Sequence, residues 1–247
     1  MNGRIVLVTG GSRGIGAAVA RLCARDGWRV AVNYRSDAQA AHTVVSEIRD
    51  NGGDARAFAA DLGDAAAIPA LIDAVEREMG LPLALVNNAG ITGGLGRFAD
   101  LREDVLRAVI DLNLVATLLC SQSLVRRWTG AGMQGRIVNL SSVAAATGSP
   151  HEYVHYAASK AAVEAFTVGL ARELAGQGIR VNAVAPGVTH TDIHAAGGDP
   201  HRAERLASRI PLGRAADPEE IAEAVAWLLS EKASYATGTV MRVAGGL

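Results

Sequence analysis

The sequence predicts an α/β fold: a doubly wound parallel sheet of about seven strands with helices on both faces. Three observations predict it. Short runs rich in Val, Ile and Leu alternate with longer stretches of helical period along all 247 residues. The apolar runs show little strict apolar–polar alternation, as strands covered on both faces should. A glycine cluster, Gly10-Gly11-Ser12-Arg13-Gly14-Ile15-Gly16, stands where the first such run gives way to the first helical stretch. Right-handed crossovers between parallel strands then put helices on both sides.

The first strand is expected at 5–9, Ile5-Val6-Leu7-Val8-Thr9, with a helix at 14–26 that opens on the glycines. A second strand at 29–34 precedes a helix at 37–50, and a third at 56–60 precedes a helix at 64–79. A strand at 83–87, Leu83-Ala84-Leu85-Val86-Asn87, leads into a long helical stretch at 102–128. Strands at 136–141 and 180–185 flank a helix at 154–175. A helix at 218–230 and a strand at 239–243 complete the pattern. No linker, repeat or low-complexity tract divides it, so residues 1–247 read as a single domain with one large core. The exception is 187–211, which is long and irregular, with Gly197, Gly198, Pro200 and three histidines, and is expected to be a substrate lid.

Composition excludes several classes of function. The net charge is −1, with both signs mixed along the chain, which argues against nucleic acid and membrane as partners. No apolar run is expected to span a bilayer, which takes roughly 20 residues. The opening Met1-Asn2-Gly3-Arg4 runs directly into the first strand without a targeting segment, so a cytoplasmic protein is expected. Cys23 and Cys120 sit in apolar helical stretches and read as reduced packing residues. His190, His194 and His201 match no tight ligand spacing, so no metal is expected.

The glycine cluster has the context of a phosphate cradle. It follows a strand and opens a helix, whose N-terminal N–H groups and dipole favour an anion. Its spacing is Gly10-x-x-x-Gly14-x-Gly16, and Ser12, Arg13 and Ile15 belong to the same loop. The second strand ends at Tyr34-Arg35, where an NAD-selective site would usually carry a carboxylate. Arg35 and Arg13 suit a ribose 2′-phosphate instead. NADP(H) is therefore the preferred cofactor, with NAD(H) also possible.

Tyr156 and Lys160 are four apart in a helical stretch and share one face. Ser141-Ser142 closes the fifth strand, at the edge of a parallel sheet where ligands bind. Hydroxyl, phenol and ammonium together suit proton transfer to a carbonyl oxygen. Bringing a phenol from about 10 to about 7 requires roughly 4 kcal/mol. One cation at about 4 Å supplies on the order of 4 kcal/mol at an effective dielectric of about 20, so Lys160 is expected to provide much of that change, helped by the positive charge of oxidised nicotinamide.

These motifs, with Asn87-Asn88-Ala89-Gly90, Asn113 and Pro186-Gly187, occur in order over essentially the whole chain. In this the sequence resembles the short-chain dehydrogenase/reductase family, a Rossmann-type fold, and among its members 3-oxoacyl-(acyl-carrier-protein) reductases and glucose-dehydrogenase-like enzymes. The resemblance implies an NAD(P)-dependent oxidoreductase with Asn113, Ser142, Tyr156 and Lys160 as catalytic residues. Asn113 would hold a water that links Lys160 to solvent, and Lys160 would also bind the nicotinamide ribose. Asn88, Ala89 and Gly90 would border the cofactor, Asp61 with Leu62 would lie towards adenine, and Val188 and Thr191 would contact the carboxamide or phosphates. A homo-oligomer, commonly a tetramer, is also implied.

Two positions depart from the family pattern. The gap between Ser142 and Tyr156 is one residue longer than usual, which keeps Ser141 as an alternative hydroxyl, and Ala244 stands where many relatives carry aspartate. The positions expected to be arginine in carrier-protein reductases read Met133 and Gln177, although Arg126, Arg127 and Arg172 lie nearby. This weakens the acyl-carrier reading without removing it, and a small-molecule carbonyl/alcohol substrate is expected. His151-Glu152-Tyr153-Val154-His155 is expected to line the substrate mouth. The alternative from a different class is a catalytically silent NADP(H)-binding sensor or scaffold, which has no reason to retain the four catalytic residues together.

Overall fold

In the computed structural model, which describes residues 3–247, the chain forms one seven-stranded sheet of order β3-β2-β1-β4-β5-β6-β7, every neighbouring pair parallel. Met1 and Asn2 of the opening stretch lie outside the described residues. The strands are β1 (Ile5–Val8), β2 (Arg29–Tyr34), β3 (Asp54–Ala59), β4 (Ala84–Asn87), β5 (Arg136–Leu140), β6 (Arg180–Pro186) and β7 (Val240–Val243). β3 starts earlier than expected because Asp54 both pairs with Arg29 in the sheet and holds its guanidinium at 2.6 Å.

The helices are α1 (Gly14–Arg25), α2 (Ala38–Asp50), α3 (Ala67–Met79), α4 (Glu103–Ile110), α5 (Ala116–Ala131), α6 (Ala144–Thr147), α7 (Val154–Leu174), α8 (Asp192–Ala196), α9 (Arg202–Leu206) and α10 (Pro218–Leu229). α1, α2 and α10 pack on Val6, Val8, Val30 and Val32 on one sheet face. α3, α5 and the end of α7 pack on Ile5, Leu7, Leu85 and Ile137 on the other. Successive strand residues face opposite ways, so both cores need apolar side chains, and unbroken runs such as Ile5-Val6-Leu7-Val8 follow. Cys23 and Cys120 are free and buried in opposite cores, where burial pushes each thiol up to about 12.

Three expectations need correction. The stretch 102–128 is α4, a π-helical turn at Asp111–Val115 and α5, and it runs on to Ala131, where Gly132 ends it in the left-handed conformation (φ 62°). This continuous helix, Glu103–Ala131, is long and apolar enough to cross a membrane, contrary to the expectation that no such run exists. Its apolar surface is used within the fold: Ala116, Cys120, Leu124 and Trp128 are buried against the sheet. Finally, 187–211 is not irregular throughout, since it contains α8 and α9 and is bonded to its surroundings.

The strand order reverses between β1 and β4, which open outwards to β2 and β5 respectively. Ligands of doubly wound sheets bind beyond the strand C-termini at such a switch point. A cavity of about 530 Å³ lies there.

Candidate active site

Every residue expected to bind cofactor lines this cavity except Gly16, and of the four expected catalytic residues only Asn113 lies outside it. Gly16 acts through packing. A Cβ there would stand 2.3 Å from Gly10 O and 2.5 Å from Asn88 Nδ2, so α1 approaches the loop only because no side chain intervenes. Gly16→Ala is expected to destabilise the protein by about 1–3 kcal/mol and to weaken NADPH binding, measured by thermal melting and by fluorescence titration.

Polar side chains set the loop's shape. Asn88 donates from Nδ2 to the carbonyls of Thr9 (2.9 Å) and Gly10 (3.0 Å), so its amide braces the cradle. Thr9 Oγ1 accepts from the N–H groups of Asn88 and Ala89. Asn33, missed by sequence reasoning, accepts from Gly10 N–H at 3.2 Å and donates to the carbonyls of Phe58 and Ala60. Its signal was a lone amide within Arg29-Val30-Ala31-Val32-Asn33-Tyr34. Gly10 and Gly14 take positive φ (59° and 51°), a conformation that costs other residues about 1–2 kcal/mol.

Arg13 and Arg35 are exposed at the rim, with Tyr34 half-buried between β2 and the cavity. Among the described residues neither arginine has a carboxylate partner within ion-pair distance. Asp61 Oδ1 accepts from Gly63 N–H at 2.9 Å, which shapes the wall beside the buried Leu62.

Ser142, Tyr156 and Lys160 meet at the end of β5, where α7 crosses it. Burial pushes the Tyr156 phenol up to about 12, with a hydrogen bond to Ser142 acting in the opposite direction. The expected lowering by Lys160 is not found. The ammonium lies 5.8 Å from the phenol ring centroid and donates to Leu140 O at 2.7 Å, and burial lowers its own pKa to about 8. The lysine keeps its proton at neutral pH, but its ammonium is turned to the Leu140 carbonyl and stands off the phenol, so burial dominates at Tyr156. Ser141 Oγ instead donates its one proton to Glu164 (2.7 Å), with the Lys160 carbonyl 3.3 Å away, and so faces away from the partners of Ser142.

Asn113 is fully buried in the π-helical turn. Its amide accepts from Ile91 N–H and donates to Ile91 O (both 2.9 Å) and to Ser159 Oγ (3.0 Å). Both amide protons are thus committed to protein, and one lone pair of Oδ1 remains. A Cβ at Gly90 would stand 3.1 Å from that oxygen and 3.5 Å from Lys160 Nζ, so the glycine leaves open the space the two groups face. Asn87 joins β4 to β5 through Asn139 (2.9 Å) and to α5 through Ser121 (3.0 Å), while Asn139 donates to Thr167 on α7.

Residues after β6 complete the walls. Gly187 packs against Ala244, with a Cβ 2.8 Å from Ala244 Cα, so the family departure at 244 lies at a close backbone approach. Thr191 reaches the glycine loop, 3.2 Å from a Cβ at Gly14. Of 151–155 only Tyr153 lines the cavity. His155 is turned inwards, its Nε2 2.9 Å from Thr92 O, and Glu152 is paired with Arg202. His194 Nε2 lies 2.9 Å from Thr189 O, and His190 faces Glu204 at 3.8 Å.

This constellation defines a nucleotide-binding α/β oxidoreductase site. Residues 10–247 match the family described as enoyl-(acyl carrier protein) reductase. The chain is 46% identical over 244 residues to YgfF, an uncharacterized oxidoreductase of Escherichia coli, with 98% of this chain and 99% of that protein covered. It is 42% identical to a 3-oxoacyl-(acyl-carrier-protein) reductase of Staphylococcus aureus, covering 98% and 96%. A solved short-chain dehydrogenase of Burkholderia cenocepacia in complex with NADP superposes with a TM-score of 0.90 at 37% identity, covering 98% and 97%. The chain belongs to the short-chain dehydrogenase/reductase family and is an oxidoreductase.

Proposed function

We propose that this enzyme interconverts a small-molecule carbonyl and its secondary alcohol with NADP(H), using Tyr156 as general acid and base. One observation carries the reading: Ser142, Tyr156 and Lys160 line the same cavity as the glycine loop and its two carboxylate-free arginines.

The cavity suits the cofactor. The loop from Ser12 to Ile15 and the first turn of α1 would hold the pyrophosphate, since first-turn N–H groups have no acceptor within the helix. Arg13 and Arg35 would hold the 2′-phosphate beside Tyr34, and Asp61 and Leu62 would flank adenine. Ala89, Gly90, Lys160, Val188 and Thr191 would border the nicotinamide end. NADP(H), when bound, supplies or accepts the hydride.

In reduction the Tyr156 phenol, protonated at neutral pH, gives its proton to the carbonyl oxygen while Ser142 donates a hydrogen bond to that oxygen. Lys160, its pKa lowered by burial to about 8 and so below that of the phenol, is suited to resupply it with a proton. Asn113 positions Ile91 and Ser159 around them and offers its remaining lone pair to a proton-relay water. Residues 187–211 serve as the lid. Arg127 is held by Asp73 and Glu76, whereas Arg126 and Arg172 are exposed and have no carboxylate within ion-pair distance among the described residues, so an acyl-carrier substrate is the second reading, which the 3-oxoacyl thioesters of the panel below test. A cytoplasmic homotetramer is the proposed working form; Trp227 and Tyr235, which α10 and the following turn leave exposed, support association between copies.

The test is NADPH and NADH oxidation across diketones, quinones, aldehydes, sugars and 3-oxoacyl thioesters. Turnover with NADPH is expected, and tight binding without turnover on any of them would favour the sensor. Arg35→Ala is expected to reduce the NADPH/NADH ratio of kcat/KM by about tenfold or more, as loss of one charge-assisted contact should. An unchanged ratio would sink the assignment of the 2′-phosphate site.

A further inference from the structure

Arg202 is an anomaly among the charged residues. It belongs to α9, in the segment proposed as the lid, yet its side chain is only 7% exposed and reaches the substrate end of the cavity. Such a burial demands partners. Arg202 has a bidentate one: Nη1 and Nη2 donate to the two carboxylate oxygens of Glu152, at 2.9 and 2.5 Å. Nη2 also donates to the Tyr153 hydroxyl at 2.8 Å, and the guanidinium carbon lies 5.0 Å from the Tyr153 ring centroid. The Tyr153 ring in turn packs edge-on against Tyr156, with centroids 5.2 Å apart and planes at 83°.

A second observation points to the same place. Ser149 (φ 42°) and His151 (φ 65°) are the only non-glycine residues with positive φ among the described residues, and they lie in the turn that leads into Glu152 and Tyr153, whose N–H groups donate to Ser149 O. Two side chains in the left-handed region in one turn is a local cost that surrounding contacts must hold in place. The turn falls between Ser142 and Tyr156, in the stretch whose length departs from the family pattern. Its contacts run to the lid and to the loop after β4: beyond the Arg202 pair, Glu152 O accepts from Gly96 N–H at 2.8 Å, while Leu95 N–H donates to Gly197 O at 3.1 Å.

We propose that Arg202 and Glu152 form a latch which, when the lid is seated, fixes Tyr153 against Tyr156 and so sets the phenol's aim at the substrate. Arg202 and Glu152 are positioning residues, and Tyr153 is the part of the latch that reaches substrate. This rests on Tyr156 being the general acid. The latch uses both oxygens of Glu152 and both amino groups of Arg202, so a lysine replaces it only in part. Because the ion pair is internally neutral, seating the lid brings no net charge to the substrate end.

The experiment is steady-state kinetics of the full chain with NADPH and the best carbonyl of the panel. The variants are Arg202→Met, Arg202→Lys, Glu152→Gln, Tyr153→Phe and the double variant Arg202→Met/Tyr153→Phe, with Tyr156→Phe as reference and melting curves for all. Misaiming a reacting group by about 1 Å costs up to about 100-fold, so Arg202→Met is expected to lose about 10- to 100-fold in kcat. Tyr153→Phe, which keeps the ring but not the gripped hydroxyl, is expected to lose about tenfold, and Arg202→Lys to recover part of the activity. The double variant should match Arg202→Met within about twofold, because both changes break one chain of contacts. The NADPH Kd should stay within about twofold throughout.

Losses that multiply in the double variant would overturn the latch, as would Tyr153→Phe and Glu152→Gln enzymes with wild-type kcat beside an inactive Tyr156→Phe. These two milder variants carry the test if Arg202→Met fails to fold. A fully active Tyr156→Phe would instead overturn the catalytic assignment beneath it, and this inference with it.

Discussion

Tyr156→Phe is expected to reduce kcat/KM for carbonyl reduction by about 100- to 10,000-fold, the usual contribution of a positioned general acid. The substitution removes one oxygen and leaves the ring in its cluster with Ala144, Tyr153 and Ala157, so folding and NADPH affinity should be nearly unchanged. The loss should therefore fall on kcat, which marks an interaction made in the transition state. The pH dependence has a definite sign. A phenol raised to about 12 is protonated at neutral pH, so reduction should be flat there and decline only in alkali, while alcohol oxidation should rise with pH. Tyr156→Phe should abolish that rise. Residual oxidation with the wild-type slope would mean that another group takes the proton.

Lys160→Met should inactivate the enzyme and at the same time stabilise its cofactor-free form. Burial lowers the lysine from an ordinary 10.5 to about 8, which corresponds to about 3 kcal/mol against the folded state wherever both states are protonated. Replacing the ammonium removes that cost but leaves Leu140 O without its donor, a loss of about 1 kcal/mol. The net gain is about 2 kcal/mol, or roughly 5 °C in Tm for a chain of this size. The penalty is complete below about pH 8. Between there and about 10.5 the unfolded state binds more protons, so wild-type stability relative to the variant should climb with pH. A difference in Tm that does not change with pH would show that Lys160 is not held in a desolvated state. A residue that costs stability in the free enzyme is what a site built for function should contain.

Much of this was legible in the chain. Strands covered on both faces require apolar residues at every position, so Ile5-Val6-Leu7-Val8 and its counterparts marked the sheet without reference to anything distant. The cradle was legible because backbone conformation at Gly10 and Gly14 and steric room at Gly16 are local demands that only glycine meets. Tyr156 and Lys160 were legible because helical spacing alone puts them on one face. Asn113 needed the family resemblance, since nothing local distinguishes it from any other polar residue in a long helix.

What the sequence by itself determined was therefore whatever depends on neighbours within a turn or a strand: the order of elements, the phosphate loop and the tyrosine–lysine pair. Tertiary structure alone decided the rest. Asn33 meets Gly10, and Arg202 meets Glu152, only after distant segments are brought together. The ionisation of Tyr156 differs from the expectation for the same reason. Helical spacing puts Lys160 one turn from Tyr156, but only the fold buries both groups and turns the ammonium of α7 to the end of β5, and burial is a property of the whole fold that no spacing of residues records.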